Sequence, residues 1–127
     1  MVVVDSTLWI DFFRGSNESG RAALRQLIRA HQAVLTGIVL AEVLQGVRSE
    51  QESISVRDQF FSIAYFETTK ETWTEAGSLS AELRRKGLTI PLTDLIIAAL
   101  AMEHDAEVFT TDPHFEKIPG LKLYRAK

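Results

Sequence analysis

The chain opens MVVVDS, residues 1–6, and the run Val2-Val3-Val4 ended by Asp5 decides the fold class. Successive β-branched residues with no polar alternation describe a strand buried on both faces, and such strands belong to parallel sheets. Working outward, LWIDFFRG reads as a short amphipathic helix stopped by Gly15, and SNESG supplies cap residues for a longer helix from Glu18 to Ala30. Leu24, Leu27 and Ile28 share a face of that helix. AVLT, Ala33 to Thr36, is a second strand, followed by a helix through IVLAEVLQGVR that ends near Arg48. Ser49 to Ala64 reads as another helix with Ile54, Phe60, Phe61 and Ile63 buried. A third strand is expected at Tyr65 to Glu67, and a long helix from Lys70 to Lys86 with Gly87 as its stop. Pro91 forbids continuation, so Thr93 and Asp94 open a new helix through Ala101. Glu107 to Thr110 is a strand, DPHFEKI a helical turn or two, and Leu121 to Tyr124 a last edge strand. Strands alternating with helices, with almost no hairpin signals, predict an α/β domain with a mostly parallel sheet.

At 127 residues and 46% apolar content, the whole chain, 1–127, fits one domain able to bury roughly two-thirds of its unfolded surface. It has no cysteine, which excludes disulfides, thiolate zinc sites and cysteine nucleophiles and fits a reducing, cytoplasmic compartment. The N-terminus lacks a basic segment and a long apolar run, so neither a signal peptide nor a membrane span is expected there. The net charge of −3 does not by itself attract nucleic acid. Any such role rests on local basic patches or bound cations.

The acidic residues carry the chemistry. Ligands of an open parallel sheet bind beyond the carboxyl ends of the strands, which is where Asp5 and Asp112 fall. Each also precedes a helix and has an ordinary reading as an N-cap, with Pro113 at the favoured first position. Asp94 can cap or favour the positive end of its helix, beside the cap residue Thr93. Glu42 differs, because it lies inside a helix among Ile38, Val39, Val43 and Leu44 and cannot cap it. A carboxylate removed from water needs an arginine, a proton or a metal ion. Taken together, with three of the four on elements whose ends can face one edge of the sheet, these oxygen donors without cysteine or paired histidines favour a hard divalent cation, Mg²⁺ or Mn²⁺, over zinc. Such a site polarises a phosphate and activates water.

At these residues the sequence resembles the PIN domains and, within them, the VapC-type toxins of toxin–antitoxin pairs. VVVDSTLWIDFFRG, TGIVLAEVLQGVR and LTDLIIAALAMEHDAEVFTTDPHF carry the resemblance, with the acids in the order Asp5, Glu42, Asp94, Asp112. It implies a PIN-like three-layer α/β/α sandwich and a Mg²⁺- or Mn²⁺-dependent endoribonuclease that hydrolyses RNA phosphodiester bonds. The four acids would be the metal and catalytic residues, with Ser6 and Thr110 as supporting hydroxyls. DST stands where DTS or DSS is usual, which keeps the hydroxyl at Ser6. The resemblance also implies a VapB-type antitoxin that occludes the site, and a homodimer.

Arg21, Arg25 and Arg29 recur every four residues and form one stripe, a solvated face that could contact RNA or a partner. Arg84, Arg85 and Lys86 suit a helix C-terminus and are assigned no role. His31, His104 and His114 show no metal-ligand spacing. Trp9, Phe12, Phe13, Phe60, Phe61 and Trp73 read mostly as core or interface. A phosphoacceptor receiver domain would need an acidic pair after the first strand, and a dehalogenase-like phosphatase a second aspartate at position 7, which is Thr7. Both are disfavoured. A catalytically silent binding module that holds an antitoxin is the remaining alternative.

Overall fold

The computed structural model describes residues 1–126. Strand β1 (Val2–Val4) is followed by α1 (Ser6–Arg14), α2 (Glu18–Arg29), β2 (Ala33–Thr36), α3 (Gly37–Gln45), α4 (Glu50–Phe60) and β3 (Ala64–Phe66). Then come α5 (Lys70–Arg85), α6 (Leu92–Glu103), β4 (Glu107–Phe109) and a 3-10 helix at Pro113–Lys117. The four strands lie in the order β3-β2-β1-β4, and all three pairings are parallel. Among the described residues, six helices complete the three-layer α/β/α architecture that the resemblance implied, around the parallel sheet that the Val2–Val4 run predicted.

The strand order places the topological switch beside β1. The chain steps outward from β1 to β2 and β3, then crosses back to lay β4 on the other side of β1. A crevice therefore opens at the carboxyl ends of β1 and β4, the usual ligand position of open parallel sheets. The register pairs Val4 with Phe109, and the Asp5 amide donates to the Phe109 carbonyl at 2.9 Å. Asp5 is thereby brought level with the residues that follow β4.

Helix α6 shows why the sheet is held so firmly. Leu95 to Ala101 are all buried, without a polar break; a helix that is apolar all round belongs in an interior. Ala98 and Ala99 keep the side chains small where α6 lies close to its neighbours. On the opposite side of the sequence, Trp9 is 1% exposed and packs edge-on against Phe60 at 5.0 Å between centroids and nearly parallel to Phe13 at 6.1 Å. Aromatic pairs at these separations add about 0.5–1.5 kcal/mol each beyond their area. Gly15 takes φ 76°, the left-handed turn that ends α1 and lets α2 fold back.

Several boundaries differ from the sequence reading. α3 stops at Gln45 rather than near Arg48, because Gly46 takes the cap position. α4 stops at Phe60 rather than running to Ala64, which already begins β3. On α4 the buried residues are Val56 and Phe60, four apart on one face. Ile54 and Phe61, expected inside, are 47% and 92% exposed. Ile54 lies two positions from Val56, on the far side of the helix, and Phe61 follows the last helical residue. Ile63 is half-buried. The expected edge strand at Leu121 to Tyr124 reduces to one parallel bridge between Val108 and Leu123. α6 begins at Leu92 with Pro91 in the cap position, so Thr93 lies within the first turn and is not a cap.

Candidate functional site

Asp5 follows β1 in extended backbone (φ −71°, ψ 159°) and caps α1, its Oδ1 accepting the Ser6 amide at 2.9 Å. Its other oxygen accepts the Thr110 hydroxyl at 2.8 Å. Thr110 Oγ1 in turn accepts the Asp112 amide at 3.0 Å, so one side chain ties the end of β1 to the turn after β4. Asp112 caps the 3-10 helix, its Oδ1 accepting the His114 amide at 2.9 Å. Capping and clustering are thus compatible: the bonds that start two helices also orient two carboxylates toward one crevice.

Asp94 behaves otherwise. It stands in the first turn of α6, whose N-terminus has no side-chain cap bond, and its carboxylate is turned toward the loop after β4. Asp94 Oδ2 lies 3.6 Å from His114 Nδ1, and Asp112 Oδ1 lies 3.2 Å from the same nitrogen. One donor atom from each of Asp94, Asp112 and His114 falls within 4.8 Å of the others. Glu42 is half-buried on α3 and feels the charge of Asp5 and the side chain of Ser6.

The electrostatics are those of a site with excess negative charge. Burial pushes the Asp5 carboxyl above its ordinary value, against the Thr110 and Ser6 hydrogen bonds, and the charge of Asp112 pushes the same way. Burial and then Asp5 raise Glu42, with Ser6 opposing. Asp94 is pushed up to about 6, first by burial, then by Asp112 and Asp5, with His114 opposing and Glu42 adding. A helix N-terminus favours a carboxylate, so at Asp94 burial and like charge outweigh the dipole. Among the described residues no lysine or arginine forms an ion pair with any of these four acids. The arginine partner that would have made Glu42 ordinary is not among those pairs.

The donors suit a small divalent cation. Among the described residues the carboxylates lack a lysine or arginine partner, and His114 Nδ1 is buried without a hydrogen-bond partner. Two donors on one such ion, each about 2.1 Å from it, stand roughly 3.0–3.5 Å apart; the 3.2 Å from His114 to Asp112 lies in that range and the 3.6 Å to Asp94 just beyond it. One nitrogen thus lies among the oxygens that could hold a cation. The spacing of His114 to the other histidines carries no signal; the usable one is the Asp-Pro-His triplet after a strand. An aspartate cap there folds the side chain two positions on back over its own carboxylate.

The three arginines lie on α2, away from these acids in sequence and on a different element. Arg21 is engaged locally, donating to Glu18 at 2.7 Å and to the Gly15 carbonyl at 3.1 Å; Arg29 is exposed. Among the described residues no helix is long and apolar enough to cross a membrane.

Comparison with known proteins gives a consistent result. The model of the PIN domain matches residues 2–121. Ribonuclease VapC2 of Rickettsia felis is 31% identical over 105 residues, covering 79% of this chain and 78% of the relative. Ribonuclease VapC19 of Mycobacterium tuberculosis is 27% identical over 123 residues, 96% of this chain and 98% of the relative. Among solved structures, VapBC2 from Rickettsia felis bound to a promoter DNA fragment superposes with a TM-score of 0.82 at 26% identity, covering 98% of both chains.

Proposed function

This chain belongs to the PIN domain family, and from that premise we propose that it is an Mg²⁺- or Mn²⁺-dependent endoribonuclease, the toxin of a toxin–antitoxin pair. The observation that carries the reading is the convergence of Asp5, Asp94 and Asp112 on the β1/β4 crevice without a lysine or arginine among the described residues to offset them. The similarity to VapC ribonucleases along nearly the full chain supports the same activity.

Asp5, Glu42, Asp94 and Asp112 are the metal-holding and catalytic acids of this reading. A divalent cation, when bound, offsets their repulsion, polarises a phosphate oxygen and lowers the pKa of water. The protein's part is placement. Thr110 holds the Asp5 carboxylate from one side and the Ser6 amide from the other, so Asp5 cannot rotate away when charge accumulates. Thr110 also sets the start of the turn that presents Asp112. Ser6, whose side chain interacts with the Glu42 carboxyl, supplies a hydroxyl that can orient a ligand or water. Partial exposure of Glu42, Asp94 and Asp112 leaves the crevice open to a phosphodiester.

A VapB-type antitoxin that covers this crevice, a homodimer and a cytoplasmic location complete the reading. The similarity to the solved VapBC2 structure supports the first, the exposed Trp73 and Leu92 are compatible with the second, and the absence of cysteine with the third. The test is cleavage of a panel of structured and single-stranded RNAs by the purified chain with Mg²⁺, Mn²⁺ or EDTA, beside a folded Glu42→Gln variant. Metal-dependent cutting that disappears in the variant is expected. No cutting, or cutting that survives the variant, would replace this reading with the silent binding module.

A further inference from the structure

We propose that His114 supplies a nitrogen donor to the cation held by Asp94 and Asp112, and that this nitrogen makes the site prefer Mn²⁺ to Mg²⁺. The inference rests on the reading that the acidic cluster holds a divalent cation, and adds to it a residue and a selectivity. Three observations carry it. His114 Nδ1 is 3.2 Å from Asp112 Oδ1 and 3.6 Å from Asp94 Oδ2, so it faces carboxylates from two separate elements. The same atom is buried and has no hydrogen-bond partner, although the His114 side chain as a whole is 44% exposed. The ring thus turns one nitrogen inward and its opposite edge to solvent. Finally, the ring is anchored: the His114 amide is bonded to Asp112 Oδ1 at 2.9 Å, and Pro113 restricts the backbone between them.

An imidazole nitrogen is a softer donor than a carboxylate or water. It adds affinity for first-row transition ions, whereas Mg²⁺ is reluctant to exchange oxygen donors. A site built only from Asp94 and Asp112 would discriminate little between Mg²⁺ and Mn²⁺. Adding His114 separates them. The ordinary alternative is that His114 is a counter-ion of the metal-free site, drawn to two carboxylates and displaced when a cation arrives.

Electron spin-echo spectroscopy of Mn²⁺ bound to the tag-free protein tells these apart without reference to activity. The expected result is a ¹⁴N coupling in the wild type that is absent in His114→Gln. Titration should show Mn²⁺ affinity falling at least about 10-fold in that variant, the loss that even an outer-shell partner causes, with Mg²⁺ affinity much less changed. His114→Asp, which replaces the nitrogen by oxygen, should keep cation binding and lose both the coupling and the Mn²⁺ preference. Mn²⁺ bound by the wild type with no ¹⁴N coupling would overturn the inference while leaving the cation-dependent nuclease intact. A coupling that survives in His114→Gln would overturn it too, assigning the nitrogen to another histidine. Failure of the wild type to bind Mn²⁺, together with RNA cleavage that resists EDTA, would remove the underlying reading and the inference with it.

Discussion

Helix α1 joins two regions of opposite character. At its start Asp5 is 7% exposed, its pKa raised by burial and then by the charge of Asp112, and one turn later Trp9 is 1% exposed within the Phe12, Phe13 and Phe60 cluster. Both residues are buried, but burial acts with opposite sign. For the indole it removes apolar surface from water and adds dispersion contacts. For the carboxylate it removes hydration that two hydrogen bonds only partly replace. The crevice is therefore a place where the fold tolerates strain, and the aromatic cluster is one of the places that offset it. Sites that must bind a cation from solution are arranged this way, since a crevice already neutralised by arginines would have nothing to gain from the ion.

The largest test of this contrast is at the aromatic end. Trp9→Ala should lower stability by about 3–5 kcal/mol, the usual loss for deleting a fully buried large aromatic. Urea melts would read it, and cleavage per folded molecule should be unchanged. A loss of specific activity as large as the loss of stability would mean that the two regions are one cooperative unit.

Asp94→Asn should do the reverse. RNA cleavage falls on the order of 10²–10³-fold, the scale for removing a preorganised electrostatic group, while the metal-free protein becomes more stable near neutral pH. In the fold Asp94 titrates at about 6, above the 3.8 of the unfolded chain. Between those values the folded state holds a proton that the unfolded state has lost, so stability from this group is full below the lower value and declines as pH rises through the upper one. The advantage of Asp94→Asn in thermal melts should therefore be present at about pH 7.5 and shrink toward about pH 4.5. A variant equally or less stable than wild type across that range would show that Asp94 is compensated in the folded protein.

Adding divalent cation should act on the crevice alone. At ten times its dissociation constant the ion adds about 1.4 kcal/mol, and Asp94→Asn should abolish most of that gain. Melting temperatures that ignore Mg²⁺ and Mn²⁺ in the wild type would count against the cation site. The smallest effect is expected on the solvent-facing side of α2, a separate element from the acids. The pair Arg25→Ala and Arg29→Ala should shift stability by no more than about 0.5 kcal/mol and leave cleavage unchanged if the stripe is a solvated face. A weaker dependence of RNA binding on salt in that double variant would assign the stripe to RNA phosphates instead.

The elements that were legible in advance were those whose signal is local. Val2–Val4, Ala33–Thr36 and the apolar stretch of α6 are runs of one character, and a run survives any arrangement of its neighbours. Ile54 and Phe61 are exposed against expectation because α4 has few apolar residues, so its inner face is chosen by what it packs against. The acids divide along the same line. Glu42 could be singled out because a carboxylate inside an apolar helical stretch is anomalous without any knowledge of the fold, and Asp5 and Asp112 because they follow strands. His114 had no such local anomaly.

By itself, then, the sequence determined the parallel α/β class and the order of the strands and helices. It also marked the residues that sit awkwardly in their own segments, because periodicity, β-branching and an acid in an apolar stretch are properties of short windows. Only the tertiary structure decided that β4 returns to the free side of β1, that Thr110 links Asp5 to the turn carrying Asp112, and that Asp94 and His114 meet there. Those outcomes depend on strand order and register across about a hundred residues of chain. No local preference encodes that distance. It is settled by the burial of β1 between its two neighbours and of α6 against the sheet.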